Sequence, residues 1–463
     1  MRYRYRNNEE MKDSGEEWIG LIPINWNVLM FKRIVESVKN GVWGDEPQNN
    51  QDDIPCIRIL NFNRNKMEIV IDDLTTRNIP LIKQRDYLLK RGDLLIEKSG
   101  GGDKNPVGFV AIYNHNIPAV YANFMAKISL RDEIAKSKFV KYMCATIYNK
   151  RIHLDSVNQT TGIQNLASDV YFKRNIAIPG IIEQKKIAKF LDEKTAQFDS
   201  IISKKQELIQ KLEEAKKSLI SEVVTGKVKV VKTSEGYELI ERKREEMKDS
   251  GVEWLGDVPK EWDIKKVKHI AVLNPTKAKV RKYIDKEFEV SFIPMDSVRL
   301  GSINIEQNKR IDDVIDGYTY FENNDIIMAK VTPCFENRNI AIAENLKNGI
   351  GFGSTELNAI RCFNKKDIPF LFYNLQEENF MKIATYEMTG AGGLKRVPSS
   401  FLLNAQFTHP KIDEKIKIVE YLNDKMLEIA KVIKKTKDQI KVLKEAKQSL
   451  ISEAVTGKIE ILD

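Results

Sequence analysis

The sequence is poor in the residues that build disulfide frameworks and zinc sites. Its 463 residues include only four cysteines and four histidines, and both types are scattered along the chain. No two cysteines form a Cys-x-x-Cys pair. We therefore expect neither a disulfide scaffold nor a zinc site, and we interpret Cys56, Cys144, Cys334 and Cys362 as ordinary core or near-core residues.

Long apolar runs are also missing. The N-terminal segment MRYRYRNNEEMKDSG has no apolar core of the length that a secretory signal peptide needs, and no later run approaches the length of a membrane span. These absences predict a soluble, intracellular protein, and we expect it in the cytoplasm.

The motifs of DNA-modifying enzymes are incomplete. Adenine methyltransferases hold the target base with Asn/Asp-Pro-Pro-Tyr/Phe, which Asn274-Pro275-Thr276 fails to match. The glycines of Gly349–Gly353 lack a strand–loop–helix setting, and Gly226-Lys227 lacks the rest of a nucleotide-binding loop. The segment Asp93–Lys98 has the residue types of a Mg²⁺ nuclease, but its Glu and Lys are adjacent and would point to opposite faces of a strand. We therefore predict no catalytic, cofactor-binding or metal-binding residue in this chain.

The composition allows sizeable cores and favours an anionic partner. Hydrophobic residues make up 42% of a chain whose length suggests two or three domains. The 75 Lys and Arg exceed the 66 Asp and Glu, which gives a net charge of +9. This mild excess is compatible with nucleic-acid binding but does not decide it.

The organising feature is an internal repeat. Pro179–Gly226 returns as Pro410–Gly457 at a constant offset of 231, with 22 of 48 positions identical and no gap. Apolar residues recur at alternating spacings of four and three, the rhythm of a coiled coil, and Pro and Gly bound each copy. Each copy therefore predicts a helix of roughly 40 residues, about 60 Å long, and we expect the two apolar seams to meet. The predicted seam positions are Ile187, Leu191, Lys194, Phe198, Ile201, Leu208, Leu212, Leu219, Ile418, Leu422, Lys425, Ile429, Val432, Leu443 and Leu450.

A second repeat opens each half of the chain. Glu9–Trp18 and Glu245–Trp254 agree at nine of ten positions, and both continue into a Trp-x-Gly-x-x-Pro-x-x-Trp segment. We interpret the four tryptophans of these segments as anchors that pin irregular backbone onto a domain edge rather than as ligand-stacking residues.

Between each opening block and its helix lies a divergent segment of mixed character. In the first half we predict strands at Cys56–Leu60, Asp93–Ile96, Val107–Ile112 and Ala126–Leu130, and a helix at 134–148. In the second half we predict strands at Val290–Pro294, Asp325–Met328, Ile340–Ala343 and Leu357–Arg361, and a helix at 368–385. The predicted division is a repeated segment at 1–19, a domain at 20–178, a helix at 179–226, a linker with repeated segment at 227–255, a domain at 256–409, a helix at 410–457 and a tail at 458–463.

This arrangement resembles the specificity (S, HsdS) subunit of type I restriction-modification enzymes over essentially the whole chain. The resemblance is carried by the Met-Lys-Asp-Ser-Gly-x-x-Trp openings at Met11 and Met247 and the Pro-x-Ile-x-Glu helix starts at Pro179 and Pro410. The Ser-Leu-Ile-Ser-Glu-x-Val-Thr-Gly-Lys ends of both helices add to it. It implies an α+β fold, in which two mixed α/β target recognition domains are held apart by an antiparallel coiled coil of the two long helices, with a pseudo-twofold internal repeat.

The resemblance also implies function and partners. Each target recognition domain would read one half of a split site in double-stranded DNA, and the helices would bind two methyltransferase (M) subunits, with restriction (R) subunits completing the nuclease. This chain would be a non-catalytic subunit of a complex that methylates adenine at N6. S-adenosylmethionine, Mg²⁺ and ATP would belong to the partner subunits, so no cofactor is expected here. Because the two domains differ in sequence, we expect an asymmetric target with an unread spacer.

Polar and basic loop residues are the candidates for DNA contact, because such side chains supply most phosphate and base-edge contacts. In the first domain they are Arg58, Asn61, Asn63, Arg64, Lys98, Ser99, Lys104, Asn158, Gln159, Thr160 and Thr161. In the second domain they are Arg299, Lys330, Thr332, Arg338, Asn339, Lys395 and Arg396. The glycine-rich stretch 98–104 is the most favourable loop, although a plain hairpin tip would explain it equally well. Two alternatives remain open for the whole chain: a coiled-coil scaffold without a DNA role, and a self-contained DNA-modifying enzyme.

Two lysines interrupt the apolar seam at equivalent positions. Lys194 recurs as Lys425. A polar residue at a seam position can fix helix alignment at some cost in stability. We hypothesise that these lysines set the helix register or meet acidic residues of a methyltransferase subunit, while a side chain that simply extends past the seam into solvent remains the alternative.

Overall fold

The computed structural model describes residues 1–160, 162–234, 236–391 and 393–462, with the side chain of Thr160 left out. The described chain forms two compact units. Unit 1 comprises the residues up to Gln206 together with the C-terminal stretch from Lys437, and unit 2 comprises Glu207–Thr436. Nowhere in the described ranges is there a helix with the length and apolar character of a membrane span.

The two repeats of 48 residues form two helices of equal length. The first long helix is Ile181–Val224 and the second is Ile412–Val455, each of 44 residues. Both begin two residues after the predicted proline and end two residues before the predicted glycine. The Pro and Gly residues therefore act as the start and stop signals that the sequence indicated.

In unit 1 the start of the first long helix lies beside the end of the second. The Lys205 Nζ donates to the Gln439 Oε1 at 2.7 Å, and the Lys447 Nζ donates to the Asp199 carboxylate at 2.7 and 2.8 Å. Residue numbers fall along one helix as they rise along the other, so the two segments are antiparallel.

Unit 2 is built in the same way from the other two helix ends. Ile220 and Val223 of the first long helix share a buried cluster with Ile418 and Leu422 of the second. The helix numbers again run in opposite directions, so each unit contains one helix start packed against the other helix's end.

The buried stripe on the helices differs from the predicted seam at every second position. In unit 1, Leu191 and Phe198 lie on it as predicted, but Thr195 and Ile202 are buried while Ile201 is exposed. In unit 2 the stripe includes the predicted Leu212, Leu219, Leu422 and Ile429. There Ile433 is buried, Leu208 and Val432 are exposed, and Ile209 is less exposed than Leu208. Two heptad registers fit apolar spacings of four and three, and they share every seventh residue. The structure adopts the register that buries Ile202, Ile433 and Ile440.

The seam lysines lie beside this stripe and contact their own helix. The Lys194 Nζ is 3.5 Å from the Gln197 Oε1, and the Lys425 Nζ donates to the Glu428 carboxylate at 2.8 Å. Both lysines are half-buried. Their proposed role in register or partner binding stays a prediction.

The domain between the opening block and the first long helix, in unit 1, is a mixed set of sheets. Its six-stranded sheet has the order Val35–Asn40, Met125–Leu130, Leu94–Glu97, Val110–Ile112, Glu68–Ile69, Phe62–Asn63. One three-stranded sheet is Ser99–Gly100, Ile163–Leu166, Val157–Thr160, and another is Val120–Tyr121, Asp53–Ile57, Thr75–Asn78. The α-helices outside the long pair are Leu81–Gln84, Ser137–Asn149 and Ser168–Lys173. One apolar cluster joins this domain to the adjoining ends of both long helices.

The corresponding domain of unit 2 contains two four-stranded sheets. Their orders are Ala271–Leu273, Leu357–Cys362, Ile326–Ala329, Ile340–Ile342 and Gln307–Arg310, Glu289–Ile293, Ile350–Gly353, Thr319–Glu322. A strand pair joins Val298–Arg299 to Ser302–Ile303. The short α-helices are Val267–Ile270, Ile311–Val314, Ile368–Asn374, Glu378–Tyr386 and Ser399–Asn404.

Most predicted strands are present, although the one predicted over Val107–Ile112 begins only at Val110, and two other predicted elements differ more. The Cys56–Leu60 run leaves its strand at Ile57 and continues as a 3₁₀ turn, Ile59–Asn61. The helix predicted over 368–385 is two helices because Glu377 begins a new one, its carboxylate accepting from the Phe380 N–H at 2.7 Å.

The predicted linker is itself structured. Val228–Thr233 and Gly236–Glu241 form an antiparallel pair in unit 2. In unit 1 the corresponding pair is made by the two ends of the chain, with Tyr3–Tyr5 antiparallel to Ile459–Ile461.

The opening blocks are short strand pairs against which the helices end. They are Met11–Asp13 with Leu21–Pro23, and Met247–Asp249 with Asp257–Pro259. The next strands, Asn27–Met30 and Asp263–Lys266, pair with the strands that lead into the long helices, Asn175–Ile178 and Gln406–His409. Trp26 and Trp262 are fully buried, and Trp18 and Trp254 are half-buried, as expected of anchors.

Candidate nucleic-acid interface

In unit 1 one small sheet joins the glycine-rich loop 98–104, the most favourable predicted loop, to the candidate stretch that begins at Asn158. Ser99 pairs with Asn165, and Asn165 pairs with Asn158 on its other side. The glycine-rich loop after Ser99 therefore starts beside the hairpin 157–166. These two segments are far apart in sequence, and the sheet makes them a single surface.

The exposed predicted residues of unit 1 are concentrated on this surface. Lys104, Asn158 and Gln159 are exposed, and Lys98 and Ser99 are half-buried. The Lys98 Nζ donates to the Asn40 side chain at 2.8 Å, and the Ser99 hydroxyl donates to the Asn165 side chain. Thr161 and the side chain of Thr160 lie outside the described residues.

The remaining candidates of unit 1 hold the domain together. Asn61 is buried, accepts from the Arg58 backbone N–H at 2.8 Å and donates to the Asp73 carbonyl at 2.9 Å. The Asn63 side chain accepts from the Lys66 backbone N–H at 3.1 Å. Arg58 lies 3.6 Å from the Asp73 carboxylate.

The partners of the Arg64 side chain are interior residues of unit 1. Its guanidinium bonds the buried Glu97 carboxylate at 2.5 Å and the Tyr148 hydroxyl at 3.0 Å, and it stacks over Phe109. Burial raises the pKa of Glu97, an effect that the Arg64 charge opposes. This arginine is therefore less available to DNA than its sequence position suggested.

Unit 2 forms an equivalent surface from Lys330–Thr332 and the segment around Arg396. Val331 and Thr389 both bridge to Arg396. The Thr332 hydroxyl donates to the Gly393 carbonyl at 2.7 Å and accepts from the Lys395 backbone N–H at 3.0 Å. Lys395 and Arg396 are exposed, and Lys330 is half-buried.

The other three candidates of unit 2 are divided between structure and surface. Arg338 pairs with Glu378, and Asn339 is buried. Arg299 is exposed at the end of its strand and lines a shallow pocket with Cys334 and Asn337. Of the three, Arg299 is the most accessible to a ligand.

The two surfaces correspond residue by residue within their own units. In unit 1 the Lys98 N–H donates to the Phe124 carbonyl at 2.8 Å, and the Leu166 N–H donates to the Lys98 carbonyl at 2.8 Å. In unit 2 the Lys330 N–H donates to the Glu356 carbonyl at 2.9 Å, and the Val397 N–H donates to the Lys330 carbonyl at 2.9 Å.

The residue offset of the long helices also relates the pairings within the two hairpins. Asn158 pairs with Asn165, as Thr389 pairs with Arg396, and both pairs preserve the offset of 231 found in the helices.

Sequence reasoning missed the apolar members of these surfaces. Ile163 and Leu394, at the offset of 231, are 52% and 55% exposed, and Phe124 is 51% exposed. Selecting only polar and basic loop residues left them out. The sequence contains little signal for them, because at the helix offset only Gly162 and Gly393 are identical between the two hairpins.

Among the residues that the structure describes, no group of three or more His, Cys, Asp or Glu side chains could hold a metal ion. The buried His153 lies beneath the unit 1 surface and stacks on Tyr148 with ring centroids 4.6 Å apart. Burial lowers the pKa of His153 to about 4, so the ring is neutral at physiological pH.

Residues 23–214 match the family described as the type I restriction modification DNA specificity domain. Over 169 residues the chain is 41% identical to the EcoAI specificity subunit of Escherichia coli, a match that covers 35% of this chain and 28% of that relative. It is 25% identical to the MjaVIII specificity subunit of Methanocaldococcus jannaschii over 97% of both chains.

The chain is thus similar in sequence to type I restriction-modification specificity subunits. The fold of such a subunit is shared as well. The HsdS subunit of Thermoanaerobacter tengcongensis superposes with a TM-score of 0.50 at 14% identity, covering 94% of this chain and 98% of that one. The predicted HsdS fold is therefore confirmed, with its mixed domains and its two long helices.

Proposed function

We propose that this chain selects the DNA target of a type I restriction-modification enzyme by reading an asymmetric, bipartite sequence. The observation that carries the proposal is a duplicated frame around two unlike surfaces. The frame repeats the opening blocks, the helices and the surface hairpins, whereas the exposed side chains differ between units, as with Asn165 and Arg396. Two readers with different side chains should prefer different half-sites.

The chemistry of both surfaces suits double-stranded DNA. Exposed Lys, Asn, Gln and Arg side chains supply donors for phosphate oxygens and base edges, and the chain has a net charge of +9. Glycines in the loop 98–104 allow the backbone to approach a phosphate closely.

The same proposal assigns catalysis to partner chains. Two methyltransferase subunits would dock on the repeated frame and methylate adenine at N6, and restriction subunits would join them. S-adenosylmethionine, Mg²⁺ and ATP would be bound by those partners. This chain would select the site without carrying out a chemical step.

The two long helices would set the number of unread bases between the half-sites. Each is 44 residues long and continuous, about 66 Å at 1.5 Å per residue. A spacing of one or two turns of DNA, at ~34 Å per turn, is compatible with that length.

The test is a salt titration of DNA binding by the complex of this chain with methyltransferase subunits. If Lys and Arg neutralise phosphates, log K falls linearly as log salt rises. The methyltransferase alone is the control for binding that does not need this chain. DNA binding that is insensitive to salt, or no DNA binding, would favour the coiled-coil scaffold without a DNA role.

A further inference from the structure

The equivalent surfaces carry different chemistry at two matched positions. One position is Phe124 in unit 1 and Glu356 in unit 2, each the carbonyl acceptor for the first lysine of the loop, Lys98 or Lys330. The other position is Asn165 in unit 1 and Arg396 in unit 2. Each directly precedes the hairpin residue, Leu166 or Val397, whose N–H donates to the carbonyl of that lysine. The backbone is therefore shared while the exposed side chains change from apolar and amide to acidic and basic.

In unit 2 the two side chains form an oriented pair. The Arg396 Nε donates to the Glu356 Oε2 at 2.8 Å, and the Arg396 Nη2 donates to the Glu356 Oε1 at 2.8 Å. The hydrogen bonds from Arg396 lower the pKa of Glu356, so the carboxylate is charged at neutral pH. Because both side chains remain partly exposed, at 44% and 29%, the pair lies at the surface.

This geometry leaves one edge of the guanidinium available. A guanidinium has five N–H donors, and the carboxylate occupies the side that contains Nε. The outer Nη1 and Nη2 donors have no other partner among the described residues. Two parallel donors on one edge match the O6 and N7 acceptors of guanine in the major groove.

A carboxylate on a DNA-facing surface also needs an explanation, because it is repelled by phosphates. Orienting an arginine is such an explanation: Glu356 restricts the side-chain rotamers of Arg396 before DNA arrives. Glu356 would then act as a positioning residue, with Arg396 making the base contact.

In unit 1 the matched positions suit another base pair. The Ser99 hydroxyl donates to the Asn165 Oδ1, which keeps a second lone pair, and the amide nitrogen has no partner among the described residues. An amide with one acceptor and one donor free matches adenine N6 and N7, and an exposed phenyl ring beside it can contact a thymine methyl group.

We propose that these two positions determine specificity, with Arg396, oriented by Glu356, requiring a guanine in the half-site read by unit 2. Asn165 and Phe124 select an A·T pair at the matched place in the other half-site. This inference rests on the proposed function, and it adds which residues and which bases distinguish the half-sites.

The experiment maps methylated adenines in DNA from cells that express this chain with its methyltransferase subunits. Arg396→Gln should relax one G·C position in one half-site, with a loss of discrimination of about tenfold to a hundredfold, and leave the other half-site unchanged. Glu356→Gln should relax the same position less. Asn165→Ala should relax an A·T position in the opposite half-site.

Arg310→Gln is the matched control. Arg310 is a half-exposed arginine of unit 2 with acidic partners, Glu287 and Asp312, outside the proposed surface. Its replacement should leave the recognised sequence unchanged.

The outcomes separate the two proposals. A wild-type bipartite motif that Arg396→Gln leaves intact would overturn this inference while the proposed function stands. Changes from Arg396→Gln and Asn165→Ala in the same half-site would overturn it as well. No chain-dependent motif in the wild type would instead contradict the proposed function.

A gain-of-function pair covers the case in which Arg396→Gln abolishes methylation altogether. Phe124→Glu combined with Asn165→Arg transfers the unit 2 chemistry to unit 1. We expect a new requirement for guanine in the half-site of unit 1. An unchanged base preference with methylation retained would contradict the assignment.

Discussion

The indole Nε1 of Trp26 donates to the Glu183 carboxylate at 3.1 Å, linking the opening block to the start of the first long helix. The same relationship recurs in unit 2, where Trp262 donates to Glu414 at 2.9 Å. Each carboxylate also accepts from an arginine, Arg6 or Arg242. The glutamate of the Pro-x-Ile-x-Glu repeat is thus the residue that fixes the frame to its helix.

Removing this glutamate should destabilise one unit. Glu183→Ala leaves the buried Trp26 indole N–H without its partner and Arg6 without its carboxylate, a cost of about 1–3 kcal/mol. The measurement is chemical unfolding followed by tryptophan fluorescence. Glu213→Ala, an exposed glutamate of the same helix, is the control and should change the unfolding midpoint little.

Substituting the glycines that follow the long helices should lower the stability of the fold for two reasons, their left-handed backbone and a steric clash of the added Cβ. Gly226 and Gly457 have φ of 75° and 76°, and an added Cβ would lie 2.5 Å from Pro259 and 2.3 Å from Pro23. We expect Gly457→Ala to destabilise by more than about 1 kcal/mol, since left-handed backbone and a clash act together. Gly251→Ala provides the control, because Gly251 has φ of 67° but open space around it. Equal losses for the two variants would contradict the packing role.

Acidification should destabilise unit 1 through His153. The pKa of this ring is about 4 in the fold and about 6.5 in the unfolded chain. The unfolded chain therefore takes up the proton first, and stability present above pH 6.5 is lost as the pH falls toward 4, approaching about 3 kcal/mol. His153→Phe should flatten this dependence in urea unfolding at several pH values, whereas replacing the exposed His269 should leave it unchanged.

The exposed apolar residues of the two hairpins should contribute to DNA binding without supporting the fold. Ile163→Ser and Leu394→Ser remove apolar contact with the duplex, so DNA affinity should fall several-fold while the unfolding midpoint stays the same. Ile240→Ser, a half-exposed isoleucine on the Gly236–Glu241 strand, is the control for both measurements. Unchanged affinity in both hairpin variants would show that these tips do not face DNA.

The spacer should follow helix length. Inserting one heptad in register into both long helices adds about 10 Å, which corresponds to about three base pairs at ~3.4 Å each. The adenine methylation motif should keep both half-sites and gain that many unread bases. An unchanged spacer would contradict the role of the helices in setting it.

Local signals in the sequence predicted much of the frame. The helix bounds fell within two residues because Pro179 and Gly226 start and stop a strong heptad pattern. The predicted seam was wrong at every second position, because Lys194 and Ile201 belong to an alternative register that shares every seventh residue with the observed one. Trp26 and Trp262 are buried and Trp18 and Trp254 are half-buried, as expected of residues that anchor the opening segments.

Long-range pairings had no comparable signal. The contact between Tyr3–Tyr5 and Ile459–Ile461 joins opposite ends of the chain, and the segment after Lys227 was interpreted as a linker although it forms a strand pair. The prediction of the candidate surface was incomplete for the same reason. Glu356 and Arg396 are 40 residues apart, so only the fold shows that they form one group.

The most direct measurement of the central claim is a genome-wide map of methylated adenines with and without this chain, in cells that keep the methyltransferase subunits. We expect a two-part, asymmetric motif with a fixed spacer that is methylated only when the chain is present. A methylation pattern that is the same in both strains, or a motif with a single continuous core, would contradict it.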